Sequence, residues 1–468
     1  MARPSVVVLH KEKEMQEPAP RLEQALYEVR KAIHPRAVHG WFAAWRWLLV
    51  WGTQLVFYGL AWLPWNGRQA VLFDIAHRKF YIFGLVFWPQ DIIYLTVLLV
   101  IAALSLFLFT AVAGRLWCGY ACPQTVYTEI FMWIERMIEG DRNARIRLDR
   151  EKFTPGKLAA KAEKHALWIG LSLWTGFTFV GYFTPIRELW SEVMAFNTGP
   201  WETFWILFYG FATYGNAGWM REQVCIYMCP YARFQSAMFD QDTMIITYDA
   251  ARGEPRAKLS AKAQARGDCV DCGICVQVCP TGIDIRQGLQ YQCIGCAACI
   301  DGCDQVMDKV GRPRGLIRYS TTHAVEGGQT KILRPRVLVY AGILVAIAAA
   351  ATAALYLRVP LKVDVIRDRA ALAREAEGGR IENVYRLQLM NTTEAARSFE
   401  IAVAGLPALQ LATEPRVVLD ATESRMVPVR LRAEPGVVAA GSHKIQFRVR
   451  AVDDERVAVA ETSVFIMR

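Results

Sequence analysis

Cysteine is absent from both ends of this 468-residue chain. All 12 cysteines lie between Cys118 and Cys303, where they form tight groups. Such grouping argues against scattered disulfides and is typical of metal ligands in a reducing compartment. Metal chemistry is therefore expected inside this interval, and none that depends on thiolates is expected outside it.

The first forty residues lack a long apolar run followed by small residues, so we expect no removable signal peptide. They are rich in charge, and we predict that 1–40 is a partly disordered cytoplasmic arm. The chain also lacks a recognisable nucleic-acid-binding module. We therefore attribute its net charge of +10 to Lys- and Arg-rich loops beside a membrane, and not to nucleic-acid binding.

Aromatic and aliphatic residues, in contrast, are abundant. The hydrophobic fraction is 53%, with 15 Trp, 22 Phe and 17 Tyr, which indicates membrane helices with interfacial aromatic belts. Four stretches within 41–219 and a fifth at 337–357 are long enough to cross a bilayer. The five candidate spans are 41–65, 92–114, 166–183, 201–219 and 337–357. The fourth is interrupted by Glu202 and by glycines.

The distribution of Lys and Arg predicts how these helices are oriented. Both residues are frequent in 1–40, in the loop 115–165 and in 220–336, and they are sparse in the two loops between. By the positive-inside rule, the N-terminus, the 115–165 loop and the 220–336 segment lie in the cytoplasm. After a fifth span, residues 361–468 then lie outside.

Residues 361–468 differ in character from the rest of the chain. Short runs alternate apolar and polar residues, among them L-K-V-D-V-I-R and H-K-I-Q-F-R-V-R, and turn residues such as Pro435 and Gly436 separate them. This pattern predicts an immunoglobulin-like β-sandwich. The region contains no cysteine, so neither a disulfide nor a thiolate metal site can form there. We expect a structural or partner-docking domain.

The densest cysteine cluster lies at 269–303, within a predicted ferredoxin domain at about 259–310. It contains C-x2-C-x2-C-x3-C twice, the spacing with which bacterial-type ferredoxins hold two [4Fe–4S] clusters. Three thiolates of one run and the last thiolate of the other are expected to hold each cluster. The first predicted set is Cys269, Cys272, Cys275 and Cys303, and the second is Cys293, Cys296, Cys299 and Cys279. A zinc site or eight structural thiols are the alternatives, but zinc sites usually pair two C-x2-C units across a longer gap.

Two shorter motifs follow the second and fourth predicted spans. They read W-C-G-Y-A-C-P and V-C-I-Y-M-C-P, beginning at Trp117 and Val224. Cysteines four residues apart lie on one helix face, and the proline is expected to end or kink the helix at the second cysteine. Such soft thiolates would suit Cu(I), zinc or an iron–sulfur centre. The four candidates are Cys118, Cys122, Cys225 and Cys229. Buried packing cysteines are the alternative, and Met228 is a weaker candidate ligand.

Together these features resemble the cytochrome c oxidase accessory protein family known as CcoG, FixG or RdxA. The resemblance rests on five spans, the paired C-x3-C-P motifs, the double ferredoxin motif and the C-terminal immunoglobulin-like domain. Local stretches that support it are Y-D-A-A-R-G-E-P-R (248–256), P-T-G-I-D-I-R-Q-G-L-Q (280–290) and C-I-D-G-C-D-Q-V-M-D-K (299–309). It covers nearly the whole chain.

The resemblance implies a multidomain, multi-pass protein of the bacterial inner membrane. Its N-terminus and inserted ferredoxin domain would be cytoplasmic, and its C-terminal domain periplasmic. It implies an oxidoreductase that reduces Cu(II) to Cu(I) for assembly of cbb-type cytochrome c oxidase. Electrons would pass through two [4Fe–4S] clusters to copper at the four C-x3-C-P cysteines. Implied partners are the lipid bilayer, oxidase assembly factors, and copper transporters or chaperones; no motif indicates the electron donor.

Two other functions fit parts of the pattern. The C-x3-C-P pair also resembles the ferredoxin-type quinol dehydrogenases that feed electrons to periplasmic nitrate and nitrous-oxide reductases. The five-span layout and the terminal sandwich favour the oxidase-assembly function over that one. The third alternative is a non-enzymatic oxidase assembly scaffold with structural clusters, which is the weakest because structural roles seldom require two adjacent clusters.

Overall fold

The computed structural model describes residues 33–258, 267–368 and 373–468. In that part of the chain the helices are α1 (Trp41–Trp62), α2 (Ile92–Ala113), α3 (Leu116–Tyr120), α4 (Pro123–Glu139), α5 (Arg142–Arg150), α6 (Pro155–Val180), α7 (Ile186–Met194), α8 (Pro200–Thr213), α9 (Pro230–Met238), α10 (Ala250–Gly253), α11 (Ile274–Gln277), α12 (Ala298–Lys309), α13 (Thr322–Val325) and α14 (Pro335–Tyr356). Two π-helical segments, Tyr214–Met220 and Val224–Met228, lie between α8 and α9.

The strands of the described residues form two two-stranded sheets, one three-stranded sheet and two larger sheets. In chain order they are β1 (Pro64–Trp65), β2 (Arg68–Gln69), β3 (Val71–Asp74), β4 (Lys79–Ile82), β5 (Leu85–Phe87), β6 (Ile245–Tyr248), β7 (Ile317–Ser320), β8 (Leu361–Arg367), β9 (Arg374–Glu375), β10 (Ile381–Asn391), β11 (Arg397–Ala404), β12 (Gln410–Leu411), β13 (Arg416–Leu419), β14 (Ser424–Ala433), β15 (Gly441–Ala451) and β16 (Ala458–Met467).

The helices α1, α2, α6, α8 and α14 form a bundle. This bundle separates the ferredoxin fold from the C-terminal β-sandwich. Helix α6 packs along α8, and α14 packs along α2. The ferredoxin fold, with β6, β7, α11 and α12, lies at one end of this bundle, which we call the ferredoxin end. The C-terminal β-sandwich lies at the opposite end, which we call the sandwich end. The helices α1, α2, α6, α8 and α14 run between these ends in alternating directions.

By length and composition, two of the described helices are apolar and long enough to cross a membrane: Pro89–Ala113, which includes α2, and α14. The other three helices of the bundle, α1, α6 and α8, are more polar or shorter. Helix α1 buries Arg46 and Gln54, and α8 ends at Thr213, where a π-helical segment begins. The expectation of five spans therefore stays a prediction.

A capping interaction attaches the ferredoxin fold to the first helix. The carboxylate of Asp301 in α12 accepts hydrogen bonds from the backbone amides of Phe42 (3.2 Å) and Ala43 (2.7 Å). The first amides of a helix have no partner within it, so a buried carboxylate satisfies them and complements the helix dipole. Asp301 is 5% exposed. The start of α1 is thereby fixed against the cysteine-rich helix.

The C-terminal domain is the predicted immunoglobulin-like sandwich. One sheet has the strand order β12-β14-β10-β8, with β9 paired to β10, and the other has the order β13-β11-β15-β16. Their inward side chains form one apolar core, in which Phe399, Phe447 and Phe465 are fully buried. The alternating runs in the sequence predicted the seven longer strands, and these are confirmed.

The sandwich rests on a small sheet that the sequence did not reveal. Residues 66–91, for which the sequence predicts only a loop, contain β3, β4 and β5 in one antiparallel sheet. Met390 of the sandwich is buried against Leu72, Tyr81 and Val86 of this sheet and against Trp88, which follows β5. At its edge Asp91, whose side chain is 2% exposed, pairs with Arg358 at 2.6 Å and with Lys362 at 2.5 Å. This contact fixes the sandwich to the bundle.

Candidate functional site

The eight cysteines of 269–303 line two adjacent cavities inside the ferredoxin fold. The first cavity is lined by Cys269, Cys272, Cys275 and Cys303. The second is lined by Cys279, Cys293, Cys296 and Cys299, with Cys275 at its border. These are the two sets that the sequence spacing predicts. Each set would hold one cluster.

The two cysteine loops repeat one backbone path. In the first loop Asp271 and Gly273 have positive φ angles of 49° and 67°, and in the second Gly295 and Ala297 have 70° and 57°. A non-glycine residue in this left-handed region costs roughly 1 kcal/mol, so it persists only where the surroundings require the turn. Gly273 and Ala297 immediately precede α11 and α12. The duplicated turn brings the thiols of each loop around its cavity.

The chemistry of these cavities fits a [4Fe–4S] cluster. Burial raises the pKa of Cys275 and Cys293 to about 11 and that of Cys296 and Cys303 to about 12. Without iron the thiols are therefore protonated at neutral pH, and metal binding must displace those protons. Among the described residues, no three His, Cys, Asp or Glu side chains are grouped to hold a single metal ion. The eight thiols line two adjacent cavities, which gives each cavity the four ligands that a [4Fe–4S] cluster requires.

Two buried arginines from the helix bundle border the second cavity. Arg46 of α1, which is 8% exposed, donates from Nη1 to the carbonyl of Cys296 at 2.5 Å. Arg115, which follows α2, donates to the carbonyls of Tyr291, Cys293 (3.1 Å) and Ala232 (2.6 Å). Their positive charges lie on the bundle side of the cavity. They would stabilise added negative charge there.

The C-x3-C-P motifs break their helices as predicted. Helix α3 ends at Tyr120, Cys122 is extended, and Pro123 begins α4. In the second motif the π-helical segment ends at Met228, Cys229 is extended, and Pro230 begins α9. Proline disfavours helical geometry at the residue before it, which explains both breaks. The expected helix ends are confirmed, and each second cysteine lies in the bend.

The four C-x3-C-P thiols lie near one another. Burial, together with the neighbouring Cys122 and Cys225, raises the pKa of Cys118 to about 12. Burial likewise raises the pKa of Cys225 to about 11, with further contributions from Cys122 and Cys229. The thiol of Cys118 donates to Oε1 of Gln235 at 3.3 Å. The fold therefore brings residues from two distant motifs together.

Met228 does not share this environment. Its side chain is 57% exposed, and the neighbouring Tyr227 is 68% exposed. The second motif thus presents a partly open side, whereas Cys118 packs against the buried residues Val278, Ile294 and Cys296. The site has a protected side toward the ferredoxin fold and an accessible side around 227–228.

Gly119 joins the two cysteine systems. It lies between Cys118 and Cys122, and a Cβ atom placed on it would lie 2.7 Å from the Cα and 2.8 Å from the backbone nitrogen of Cys296. Only glycine allows such a close approach between two backbones. Tyr319 strengthens the same junction, because its hydroxyl donates to the carbonyl of Gly295 at 2.6 Å. The C-x3-C-P site is therefore packed directly on the second cluster cavity.

Comparisons with known proteins agree with this architecture. Family models match at 220–322 (4Fe-4S dicluster domain), at 95–139 (4Fe-4S binding domain) and at 351–468 (IG-like fold at the C-terminus of FixG). Nitrogen fixation protein FixG of Rhizobium meliloti is 40% identical over 431 residues, which are 83% of this chain and 82% of its own length. Protein RdxA of Cereibacter sphaeroides is 40% identical over 452 residues, covering 92% of this chain and 96% of its own.

This chain belongs to the FixG/RdxA family. Protein RdxB of Cereibacter sphaeroides, a further relative, is 38% identical over 450 residues. The crystal structure of a FixG-related protein from Vibrio parahaemolyticus covers 23% of this chain and 97% of its own, with 27% identity and a TM-score of 0.22. The family resemblance predicted from the motifs is confirmed. Because two of the family models that it matches describe 4Fe-4S domains, this FixG/RdxA member is an iron–sulfur protein.

The two family models for 4Fe-4S domains together cover all twelve cysteines of this FixG/RdxA member. The model at 95–139 contains Cys118 and Cys122, and the model at 220–322 contains the other ten cysteines. An iron–sulfur centre at the C-x3-C-P thiols, which the sequence left open beside copper and zinc, therefore stays open.

Three residues of this FixG/RdxA site were missed from the sequence: Gly119, Arg46 and Arg115. Gly119 stands inside the first C-x3-C-P motif, where a glycine between metal-binding cysteines could have suggested a close backbone contact. Arg46 is a charge within an apolar helix, and such residues are functional candidates by default. Arg115 carried no comparable signal, because it follows the last apolar residue of α2 where a flanking positive charge is ordinary.

Proposed function

We propose that this FixG/RdxA member carries electrons through two [4Fe–4S] clusters and reduces Cu(II) to Cu(I) at the C-x3-C-P thiols. The proposed ligands are Cys269, Cys272, Cys275 and Cys303 for the first cluster, and Cys279, Cys293, Cys296 and Cys299 for the second. The contact between Gly119 and the backbone of Cys296 is the observation that carries the proposal. It leaves a very short path from the second cluster to Cys118 and Cys122.

The clusters, when bound, supply one-electron storage and transfer. The residues around the two cavities would set the direction in which electrons move. Cys272 at the first cavity is exposed, and the arginine there, Arg286, is paired with two aspartates. The second cavity is buried and is bordered by Arg46 and Arg115, which donate to backbone carbonyls. Positive charge favours the reduced form, so we infer that electrons move from the exposed first cluster to the second and then to the thiols.

Copper is the substrate in this proposal. The four thiols lose their protons when a metal binds, and soft thiolates prefer Cu(I) to Cu(II). One electron from the reduced iron–sulfur system converts one Cu(II) to one Cu(I). The exposed side around Tyr227 and Met228 gives the ion a route in and out.

We further propose the membrane arrangement that the sequence predicts. Five spans would place the ferredoxin end in the cytoplasm and the sandwich end in the periplasm of a bacterial inner membrane. The alternating directions of α1, α2, α6, α8 and α14 and the separation of the two domains support this arrangement. The sandwich would then be available to cbb-type oxidase assembly factors and to copper transporters or chaperones. These partners are proposals from the family resemblance.

The experiment compares the full-length protein with a variant in which Cys118, Cys122, Cys225 and Cys229 are all serine. After anaerobic reduction with dithionite and removal of excess reductant, Cu(II) is added and Cu(I) is measured with a colorimetric chelator. We expect Cu(I) formation to be lost in the serine variant, with iron content and cluster absorbance unchanged. Phe234→Leu, at an exposed position of α9 outside the motif, is the control and should behave as wild type.

Two outcomes would contradict the copper site. Normal copper reduction by the serine variant would show that the thiols are not needed. Loss of iron from the serine variant would show that the four thiols hold an iron–sulfur centre, as the family model over 95–139 allows.

A further inference from the structure

A cavity of about 640 Å³ lies between the helix bundle and the ferredoxin fold. Its walls come from the start of α1, from α4, from 33–40 and from the loops of the second cluster. Cys296 lies on one wall and Cys225 on another. The cavity thus borders both redox systems, yet neither the clusters nor the copper site occupies it.

The outer part of this cavity is aromatic. Trp47 and Trp133 meet edge to face with ring centroids 6.2 Å apart. Trp51 and Trp133 are 59% and 40% exposed on the outside of the bundle. Tryptophan at such positions is typical of the boundary between lipid and water. From Ala43 to Trp51 the helix α1 runs along the cavity for about 12 Å, at 1.5 Å per residue.

The inner part is polar and charged. The carboxylate of Glu129 pairs with Arg136 at 3.2 Å, and the two side chains are 16% and 20% exposed. Arg46 lies deeper, with its guanidinium on the carbonyl of Cys296. A molecule in this cavity would therefore meet a proton-accepting carboxylate and, beyond it, the wall of the second cluster cavity.

We propose that this cavity binds the head group of a membrane hydroquinone, which is the electron donor of the protein. This inference rests on the proposed function, because it requires clusters that accept electrons. Oxidation of one hydroquinone to quinone releases two electrons and two protons. The electrons enter the two clusters one at a time, and the protons pass to Glu129 and from there to water. The apolar tail leaves between Trp51 and Trp133 toward lipid.

Other donors fit the walls less well. A nicotinamide dinucleotide needs a glycine-rich backbone cradle for its phosphates. Two of the arginines on the wall are already paired with carboxylates, Arg136 with Glu129 and Arg221 with Glu135. Gly40, the glycine on the described part of the wall, does not provide such a cradle, because the Asp301 carboxylate fills the space next to it where a Cβ atom would lie. A flat, lipid-soluble two-electron carrier matches both the aromatic mouth and the polar interior.

The first experiment labels the cavity in the purified full-length protein with both clusters present. The probe is a short-tailed benzoquinone that carries an aryl azide, and labelled peptides are identified by mass spectrometry after illumination. We expect labelling within 41–51 and 123–136, with protection by the unmodified quinone. Labelling confined to other parts of the chain would overturn the proposal.

The second experiment measures cluster reduction by a short-tailed hydroquinone in a stopped-flow spectrometer. Ala44→Trp fills the cavity from α1, and Glu129→Gln removes its proton acceptor. We expect both variants to be slower than wild type by about tenfold or more. Ala349→Trp, on the exposed surface of α14, is the control and should react at the wild-type rate. Wild-type rates in both cavity variants would overturn the proposal.

The same preparations separate this inference from the proposed function. Reduction by dithionite followed by Cu(II) reduction bypasses the cavity, so Ala44→Trp should reduce copper normally once dithionite has reduced it. Loss of copper reduction in wild type would instead contradict the proposed function and leave the labelling result to decide on the cavity.

Discussion

Replacing Arg46 by Gln tests whether the helix bundle sets the potential of the second cluster. The guanidinium touches the carbonyl of Cys296 and is 8% exposed. The substitution removes one positive charge and keeps a side chain of similar length that can still donate a hydrogen bond. The midpoint potential of one cluster should therefore fall, because its reduced form loses a stabilising charge.

The size of the effect follows from Coulomb's law. Two unit charges taken to be about 7 Å apart, in a medium with an effective dielectric constant of about 20, interact by about 2.4 kcal/mol. Since about 59 mV corresponds to a tenfold change in a one-electron equilibrium, this energy corresponds to about 100 mV. Water in the neighbouring cavity weakens the interaction, so we expect a decrease between about 50 and 100 mV.

The assay is a redox titration of the purified protein followed by electron paramagnetic resonance, which resolves the two clusters. Arg286→Gln is the matched control, because Arg286 lines the first cavity and should change only the other midpoint. Arg46→Lys, which keeps the charge, should recover most of the decrease. If Arg46→Gln leaves both midpoints unchanged, the charge of Arg46 does not act on a cluster; if both fall equally, the assignment of Arg46 to one cluster is wrong.

Two further predictions concern the junction and the buried charges. Gly119→Ala should push α3 away from Cys296, so that copper reduction slows by about tenfold or more while iron content stays constant; an unchanged rate would show that this contact is not the electron path. Glu135, buried beside Arg145 (2.9 Å), Arg221 (3.1 Å) and Lys164, has a pKa that burial raises but that these cations bring below its ordinary value. Its stabilising contribution is thus present above the unfolded-state pKa and lost as pH falls through the lower folded-state pKa. Glu135→Gln should destabilise by about 3 kcal/mol at neutral pH, measured as thermal unfolding in detergent, and the difference should shrink below about pH 4; a constant difference across that range would contradict the pairing.

The elements that the sequence predicted well are those with a local signal. Alternation with a period of two predicted the strands of the sandwich, and prolines predicted the ends of α3 and of the segment before Cys229. The spacing of the cysteine runs predicted the two sets that line the two cavities. In each case the controlling physics acts over a few residues, so a short window of sequence contains it.

The elements that it did not predict depend on contacts between distant residues. Gly119 and Cys296 lie in different motifs, and neither motif indicates that it contacts the other. The strands β3 to β5 are too short for alternation to be distinctive, and their sheet forms because Met390 and the sandwich cover one side of it. Burying the charge of Arg46 in an apolar helix is energetically unfavourable when the sequence is considered alone. In the structure, its guanidinium donates a hydrogen bond to the carbonyl of Cys296.

The ion pairs of Asp91 have a consequence for how the chain is made. Asp91 belongs to the first hundred residues, whereas Arg358 and Lys362 stand more than 260 positions later. At a synthesis rate of about 5–20 residues per second, the carboxylate waits about 15 to 50 s for its first cation. During that interval it must remain hydrated, since an unpaired buried charge is costly. The sandwich therefore cannot close over this sheet until the chain has been made as far as Lys362.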